Sequence, residues 1–447
     1  CFDYGNNWSK TRGSKRDKEL MKELNSNNKK FSRVLENLLF KRRNKVKSSS
    51  VSVSKIINDI KKNGDKALLK YEKKFNKNRI IKPSSKQISK SIRTLDKKVK
   101  KAIDLAYQRI HKFHSLQKFK NISYIDKFKN KLEYKYMPID SVAIYVPGSS
   151  ASYPSSVLMN AIPALVARVK RIVMINPSYK GKQNPAVLYA AKKCKIKEIY
   201  SIGGPSAIAA LAYGTKKIKK VNKIVGPGNA FVAAAKKEVF GEVGIEGMTA
   251  GPSEITIVCD KFSKPEWVAS DLIGQAEHDI LAQCILISKD KKFIEKVKME
   301  IKNQLKEISR SSIARKSLIK NGILINISSD QKIVDVVNKI APEHLELNVK
   351  NYKFFISKIK NSGSICLGKY AVMAMTDYNI GSNHILPTNG SAKYSSGISV
   401  NEFYKRISYI NLSKKGIESL GPSVITLANY EGLAGHAQSV KKRIRRK

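Results

Sequence analysis

The sequence predicts an α/β fold, in which two related strand–helix units follow an N-terminal helical region and precede a small C-terminal helical segment. Three observations carry this. Residues 32–118 show helical apolar spacing, short strands alternate with helices from residue 141, and that alternation runs twice. In the first region Val51 to Ile60 is amphipathic, and "KKNGDKALLKYEKKF" resumes the pattern around Gly64 as Lys-faced helix. "SVAIYVPG" (141–148) predicts a buried strand closed by a Pro-Gly turn, followed by helix 155–169 and strand 171–176. Helix 185–194, strand 198–204, helix 206–214 and strand 223–228 complete the first unit. The second unit has strand 254–260, helix 265–278, strand 283–289 and helix 292–306, then strand 322–328, helix 330–340 and strand 344–349. The leading strands start at 141 and 171 in one unit and at 254 and 283 in the other, a matched spacing that suggests related βαβ halves. Beyond residue 360 the chain turns rich in Gly, Ser and Asn, and a last helical stretch ends in the basic tail "KKRIRRK". The expected divisions are a polar extension (1–30), a helical region (31–140), a first α/β domain (141–248), a second (249–390) and a C-terminal segment (391–447).

At 447 residues and 42% hydrophobic, the chain can build several domains with a sizeable core. No apolar run reaches the ~18–20 residues of a membrane span, because 157–169 is broken by Asn160 and Pro163, so no membrane partner is expected. The formal charge is +51, from 86 Lys+Arg against 35 Asp+Glu. A nucleic-acid binder would lay its basic stripe over its functional motifs, with Arg and aromatics prominent. Here 70 Lys stand against 16 Arg amid abundant Ile and Asn, the residue bias of AT-rich codons. Residues 1–140 hold 39 basic and 13 acidic residues, whereas the motif-dense stretch 241–290 holds 3 and 9. Nucleic acid is therefore the minor reading. Five cysteines without a C-x-x-C pair fit a reducing cytoplasm better than a disulfide framework, and no apolar signal-like stretch opens the sequence at Cys1.

The histidines are concentrated in polar motifs. "GQAEHD" (274–279) sets Gln275 and His278 three apart on one helix face, where an amide oxygen and an imidazole could hold two corners of a metal site. "APEHLEL" (341–347) puts Glu343 beside His344 at a helix-to-strand junction, a carboxylate and an imidazole suited to general-base chemistry near neutral pH. The long polar loop 376–397 carries Asp377 and His384, and "NYEGLAGHAQS" (429–439) carries Glu431 and His436. The remaining histidines, His111 and His114, lie on a Lys-rich helix and read as surface residues. "GPGN" (226–229) and "AGPSE" (250–254) are Gly turns beside strands, and neither is a G-x-G-x-x-G fingerprint.

Taken in order, "YVPGSSASYPSSVLMNAIPA", "VGPGNAFVAAAK", "AGPSEITIV", "SDLIGQAEHD.LAQ", "APEHLEL", "TDYNIGSNHILPT" and "EGLAGHA" resemble the histidinol dehydrogenase family over roughly residues 33 to 440. The resemblance implies two incomplete Rossmann-like domains in an intertwined homodimer, whose C-terminal segment completes the partner's active site. It implies a two-step oxidation of L-histidinol to L-histidine through L-histidinal, consuming two NAD. By that similarity Gln275, His278, Asp377 and His436 bind Zn2+, which holds the substrate's imidazole and amino group. His344 acts as the base in both oxidations, and Glu343 activates water to hydrate the aldehyde. Ser253, His384 and Glu431 match substrate contacts, while Tyr145, Ser206 and Asn229 stand at NAD-contact positions. Two departures stand out. Ser206 replaces the family's usual Gln, and Val372, Met373 and Thr376 replace Pro, Glu and Gly in the run before Asp377.

Overall fold

The computed structural model describes residues 20–44, 50–148, 153–178, 180–246 and 251–444. Residues 1–19 of the expected polar extension, four residues of the "YVPGSSASYPSS" motif and the end of the basic tail lie outside them. The chain divides into two units, one formed by residues 1–50, 249–377 and 386–397, the other by 51–248, 378–385 and 398–447.

The first unit is built on a six-stranded sheet whose neighbours all pair in parallel. From edge to edge its strands are Lys22–Asn25, Ile323–Asn326, Gln283–Ser288, Glu254–Cys259, His344–Asn348 and Ser364–Leu367. A sheet covered on both faces favours strands that read as nearly continuous apolar runs, and Glu254–Cys259 and Gln283–Ser288 are buried throughout, with polar residues mainly at their ends. Their side chains alternate between two cores. Ile255, Ile257, Cys284 and Leu286 pack with helices Pro265–Ala276 and Lys291–Gln304, while Val258, Ile285 and Ile287 pack with Phe31–Asn44 and Asp330–Ile340. The expected polar extension is corrected here. Leu20 and Met21 are buried, and Lys22–Asn25 completes an edge of the sheet.

The second unit holds a parallel five-stranded sheet ordered Glu198–Tyr200, Arg171–Ile175, Ser141–Tyr145, Lys223–Val225 and Gly244–Ile245. The chain starts at the central strand, winds to one edge, then returns and winds to the other. That reversal creates a crevice at the carboxyl ends of the strands, the usual location of a ligand in such sheets. Val142 and Ile144 face a core with helices Pro154–Val166 and Lys97–Ser115; Ala143 and Tyr145 face one with Ser50–Asn76 and Gly204–Tyr213. The helices between residues 50 and 116 thus complete this α/β unit, packing on both faces of its sheet. The expected helical region 31–140 is also not wholly helical. Lys131–Pro138 pairs with Ile122–Ile125 on one side and Tyr404–Asn411 on the other in a three-stranded antiparallel sheet, and helices Lys414–Tyr430 and Ala434–Ile444 follow it. Among the described residues, no helix is long and apolar enough to cross a membrane, and Cys194, Cys259, Cys284 and Cys366 are free and buried.

Candidate active site

Glu343 and His344 owe their position to one turn. Helix Asp330–Ile340 ends at Ala341 in the left-handed conformation (φ 51, ψ 62), whose N–H caps the Val337 carbonyl. That conformation costs a non-glycine residue roughly 1–2 kcal/mol, and it reverses the chain so that Pro342 leads directly into the strand His344–Asn348. Gly363, on the neighbouring stretch, allows the approach, since a Cβ there would lie 2.6 Å from the Glu343 carbonyl oxygen. Both side chains are buried, Glu343 at 6% exposure and His344 at 4%.

Asp377 joins them from the short helix Met373–Tyr378. His344 Nε2 lies 3.9 Å from Glu343 Oε1 and 3.9 Å from Asp377 Oδ1, so one imidazole nitrogen stands between two carboxyls. Burial pushes Asp377 up to about 7. Burial also holds Glu343 well above the usual carboxylate range, the Glu254 N–H opposing it and the Glu254 and Asp377 charges adding to it. A pocket that crowds acids together in this way favours a cation. The site lies at the amino ends of the strands, where Glu254 and His344 both begin, opposite to the carboxyl-end habit of parallel sheets.

Gln275 occupies the last turn of Pro265–Ala276, is 1% exposed, and its Nε2 has no hydrogen-bond partner among the described residues. A buried primary amide left unsatisfied is costly unless something else meets it. His278 lies just past the helix end rather than inside the expected helix 265–278. Its N–H donates to Gln275 O at 3.3 Å, and Arg310 donates to the carbonyls of Glu277 and His278 at 2.9 and 3.3 Å. Desolvation lowers the proton affinity of the His278 ring, which favours the neutral, ligating form. Ser253 is half-buried, and its carbonyl accepts from Gln283 N–H at 3.0 Å. Among the described residues, no three His, Cys, Asp or Glu side chains close into a metal cluster.

Three residues behind this group were not singled out from sequence. Arg42, buried on Phe31–Asn44, pairs with Glu254 and also donates to the carbonyls of Pro252, Ser253 and Leu281. Glu254 in turn donates its N–H to Glu343 Oε2 at 2.8 Å and accepts from Asn389 N–H at 3.1 Å. Glu346 is fully buried, shares a hydrogen bond with Asp271 on the Gln275 helix, and accepts at 2.8 Å from Met373 N–H at the start of the Asp377 helix. It therefore joins three elements that carry expected site residues. An available signal existed for Arg42. Arg is scarce in this chain, 16 against 70 Lys, and its planar fork suits a position that gathers several acceptors, as Arg42 does.

The other expected residues lie in the second unit. Tyr145 ends the central strand, is 5% exposed, and its hydroxyl accepts from Gly204 N–H at 3.1 Å. Ser206, 3% exposed, turns its hydroxyl back onto Gly203 O at 3.0 Å. Asn229 is exposed and caps helix Ala230–Glu238 by accepting from Val232 N–H at 3.1 Å. His384 is half-buried in a loop that Asn383 anchors to Met159 O at 2.7 Å. His114, expected at the surface, is 0% exposed. It meets Ile110 O through Nδ1 at 2.8 Å and Asn383 Nδ2 through Nε2 at 3.3 Å, so it supports the His384 loop. Glu431 and His436 lie exposed at the junction of the two C-terminal helices.

The family model described as histidinol dehydrogenase matches residues 40–444. A histidinol dehydrogenase of Pelagibacter ubique is 79% identical over 428 residues, covering 96% of this chain and 100% of that one. One from Nitrosomonas europaea is 43% identical over 397 residues, 88% of this chain and 92% of its own. The crystal structure of histidinol dehydrogenase from Elizabethkingia anophelis matches with a TM-score of 0.89 at 36% identity, covering 95% of this chain and 98% of that one.

Proposed function

The chain belongs to the histidinol dehydrogenase family, and we propose that it oxidises L-histidinol to L-histidine through bound L-histidinal, at a zinc site and with two NAD. Family membership makes it an oxidoreductase of histidine biosynthesis. The finer chemistry rests on one observation above all, the buried His344 imidazole set 3.9 Å from each of two carboxyls.

The residues present fit a zinc ion. Gln275 offers a buried amide whose oxygen can ligate a cation, His278 an imidazole that desolvation shifts toward its neutral, ligating form, and Asp377 a carboxyl that burial raises to about 7 and that a bound cation would return to its ionised form. His436 of the partner subunit would be the fourth ligand. Zinc supplies an anchor for the imidazole and amino group of the substrate, and NAD supplies the hydride acceptor.

His344 takes the hydroxyl proton in the first oxidation. The imidazolium so formed stands 3.9 Å from Glu343 Oε1 and 3.9 Å from Asp377 Oδ1, and its charge favours the ionised form of those carboxyls, which stabilise it in turn. Glu343, made a stronger base by burial, takes a proton from water attacking the aldehyde, and His344 serves again on the hydrate. Ser253 and His384, with Glu431 of the partner subunit, contact substrate; Tyr145 and Asn229 contact NAD, and the Ser206 hydroxyl is turned onto the Gly203 carbonyl.

A homodimer with shared sites is supported by apolar surface where the C-terminal segment lies. Leu420, Val424, Leu427 and Tyr430 on one helix are 40–92% exposed, as are Ile410 at 65% and Ile125 at 62% on the antiparallel sheet. Metal analysis of purified protein, coupled to turnover of L-histidinol and of imidazole-free amino alcohols, tests the reading. One zinc per chain with turnover confined to L-histidinol is expected. Equal turnover of imidazole-free analogues would assign a different substrate, and nucleic-acid binding that survives chelation in place of turnover would favour a polyanion-binding role.

A further inference from the structure

Helix Gly204–Tyr213 begins at the carboxyl end of the five-stranded sheet, where a parallel α/β fold would ordinarily direct the phosphates of a dinucleotide. The N–H groups of its N-cap Gly203 and of its first residue Gly204 are already engaged. Glu72, 1% exposed on Ser50–Asn76, accepts from Gly203 N–H through Oε1 at 2.9 Å, and Tyr145 accepts from Gly204 N–H at 3.1 Å. Asn76 holds the other Glu72 oxygen at 2.7 Å. Pro177 packs so closely over Gly203 that a Cβ there would lie 2.4 Å from Pro177 Cγ. The same stretch of chain straps the turn twice more, through Asn78 Nδ2 to Ser201 O at 2.6 Å and Ser201 N–H to Ile81 O at 2.7 Å.

We propose that Glu72 is a positioning residue for the cofactor: its carboxyl fills the helix start in place of a phosphate and holds the Gly203–Gly204 turn on which the Tyr145 hydroxyl is set. This rests on the NAD reading above. It accounts for the missing glycine fingerprint, since a turn closed from within needs no backbone cradle for a pyrophosphate. With one Tyr145 lone pair engaged by Gly204, the phenol proton is the group left to offer a cofactor. Burial keeps the Glu72 carboxyl up at about 7, with the Gly203 N–H opposing that rise.

The test uses the full-length zinc-loaded protein with Glu72→Gln, Glu72→Ala and Asn76→Ala, measuring KM for NAD and for L-histidinol and, without substrate, NAD affinity by calorimetry. Glu72→Ala should weaken NAD by about tenfold or more, the scale of a lost buried hydrogen bond to a charged group, with the L-histidinol KM within about twofold. Glu72→Gln, whose amide oxygen can still accept from Gly203, should recover NAD affinity to within about threefold of wild type. Asn76→Ala, which loosens the carboxyl without emptying its place, should weaken NAD about threefold and keeps the proposal testable if Glu72→Ala does not fold. Parallel changes in both KM values, failure of Glu72→Gln to rescue, or an Asn76→Ala protein with wild-type NAD affinity would overturn it. Wild-type protein that binds NAD but does not oxidise L-histidinol would instead overturn only the substrate reading, and the calorimetric series would still decide this one.

Discussion

Replacing Arg42 by Met should destabilise the six-stranded unit and disable its chemistry together. The Arg42 and Glu254 side chains are each 5% exposed, so neither charge is supported by water. Arg42→Met keeps the aliphatic packing but leaves the Glu254 carboxylate without its buried countercharge, with the Asn389 N–H still donating to it. Breaking a buried pair from one side costs about 3–5 kcal/mol, chiefly because a charge is left buried alone. At a urea dependence of up to ~3 kcal/mol per molar, the unfolding midpoint of this unit should fall by about 1 M or more. Activity should fall as well, because the Glu254 backbone holds Glu343 Oε2 at 2.8 Å and Arg42 gathers the carbonyls of Pro252 and Ser253. Adding Glu254→Gln to Arg42→Met removes the stranded charge and should recover ~1–3 kcal/mol, read as coupling in a double-mutant cycle. A midpoint shift below about 0.3 M with additive single-mutant effects would refute the reasoning.

Mutation of Glu343 to Gln should spare formation of the first NADH while slowing histidine release, whereas His344→Asn should lower both oxidations by roughly 10²–10⁴-fold; single-turnover traces with equal losses in both steps for the two variants would contradict the division of roles. The Asp377 carboxyl rises from 3.8 to about 7 on folding, so in metal-free protein its contribution to stability is full below pH ~4 and is lost as pH rises toward 7. Zinc must displace that proton, so added Zn2+ should raise the thermal midpoint more at pH 8 than at pH 5.5, and an equal rise at both would count against Asp377 as a ligand. Ser206→Ala should leave KM for NAD within about twofold, because the hydroxyl is turned onto Gly203 O; a larger rise would make it a direct contact. Leu427→Lys, placed on the exposed apolar row, should yield monomers by sedimentation with little remaining activity, and an active monomer would remove the shared-site arrangement.

Much of the α/β core was legible because buried parallel strands read as nearly continuous apolar runs. Helix 330–340 was read to the residue, and the strand after it begins at His344 as its motif implied. Elements whose side chains face solvent were not legible. "KLEYKYMP" and "YKRISYIN" alternate aromatic with basic residues on an exposed antiparallel sheet, a pattern that resembles a charged loop in so Lys-rich a chain. Lys22–Asn25 escaped notice because an edge strand needs little apolar sequence once Leu20 and Met21 anchor it. At the site, Glu343, His344 and Asp377 were named from sequence, but their common distance around one nitrogen depends on the left-handed Ala341, which no residue type announces. His114 misled for the opposite reason: it sits on the inner face of a helix whose outer face is basic, and burial decided its role. The supports Arg42, Glu254, Glu346 and Glu72 act across long sequence separations, and local spacing carries no trace of that. The +51 charge, the loudest feature of the composition, has no part in the candidate site, whose side chains are mostly acids and imidazoles.

The most direct test of the central claim is the stoichiometry of a single reaction. Purified, zinc-replete protein is incubated with limiting L-histidinol and excess NAD, and NADH and L-histidine are both counted at completion. Sequential oxidation at one site predicts about two NADH for every histidine, with no free aldehyde trapped by an added carbonyl reagent. One NADH per substrate with free L-histidinal accumulating, or no NADH at all, would contradict it.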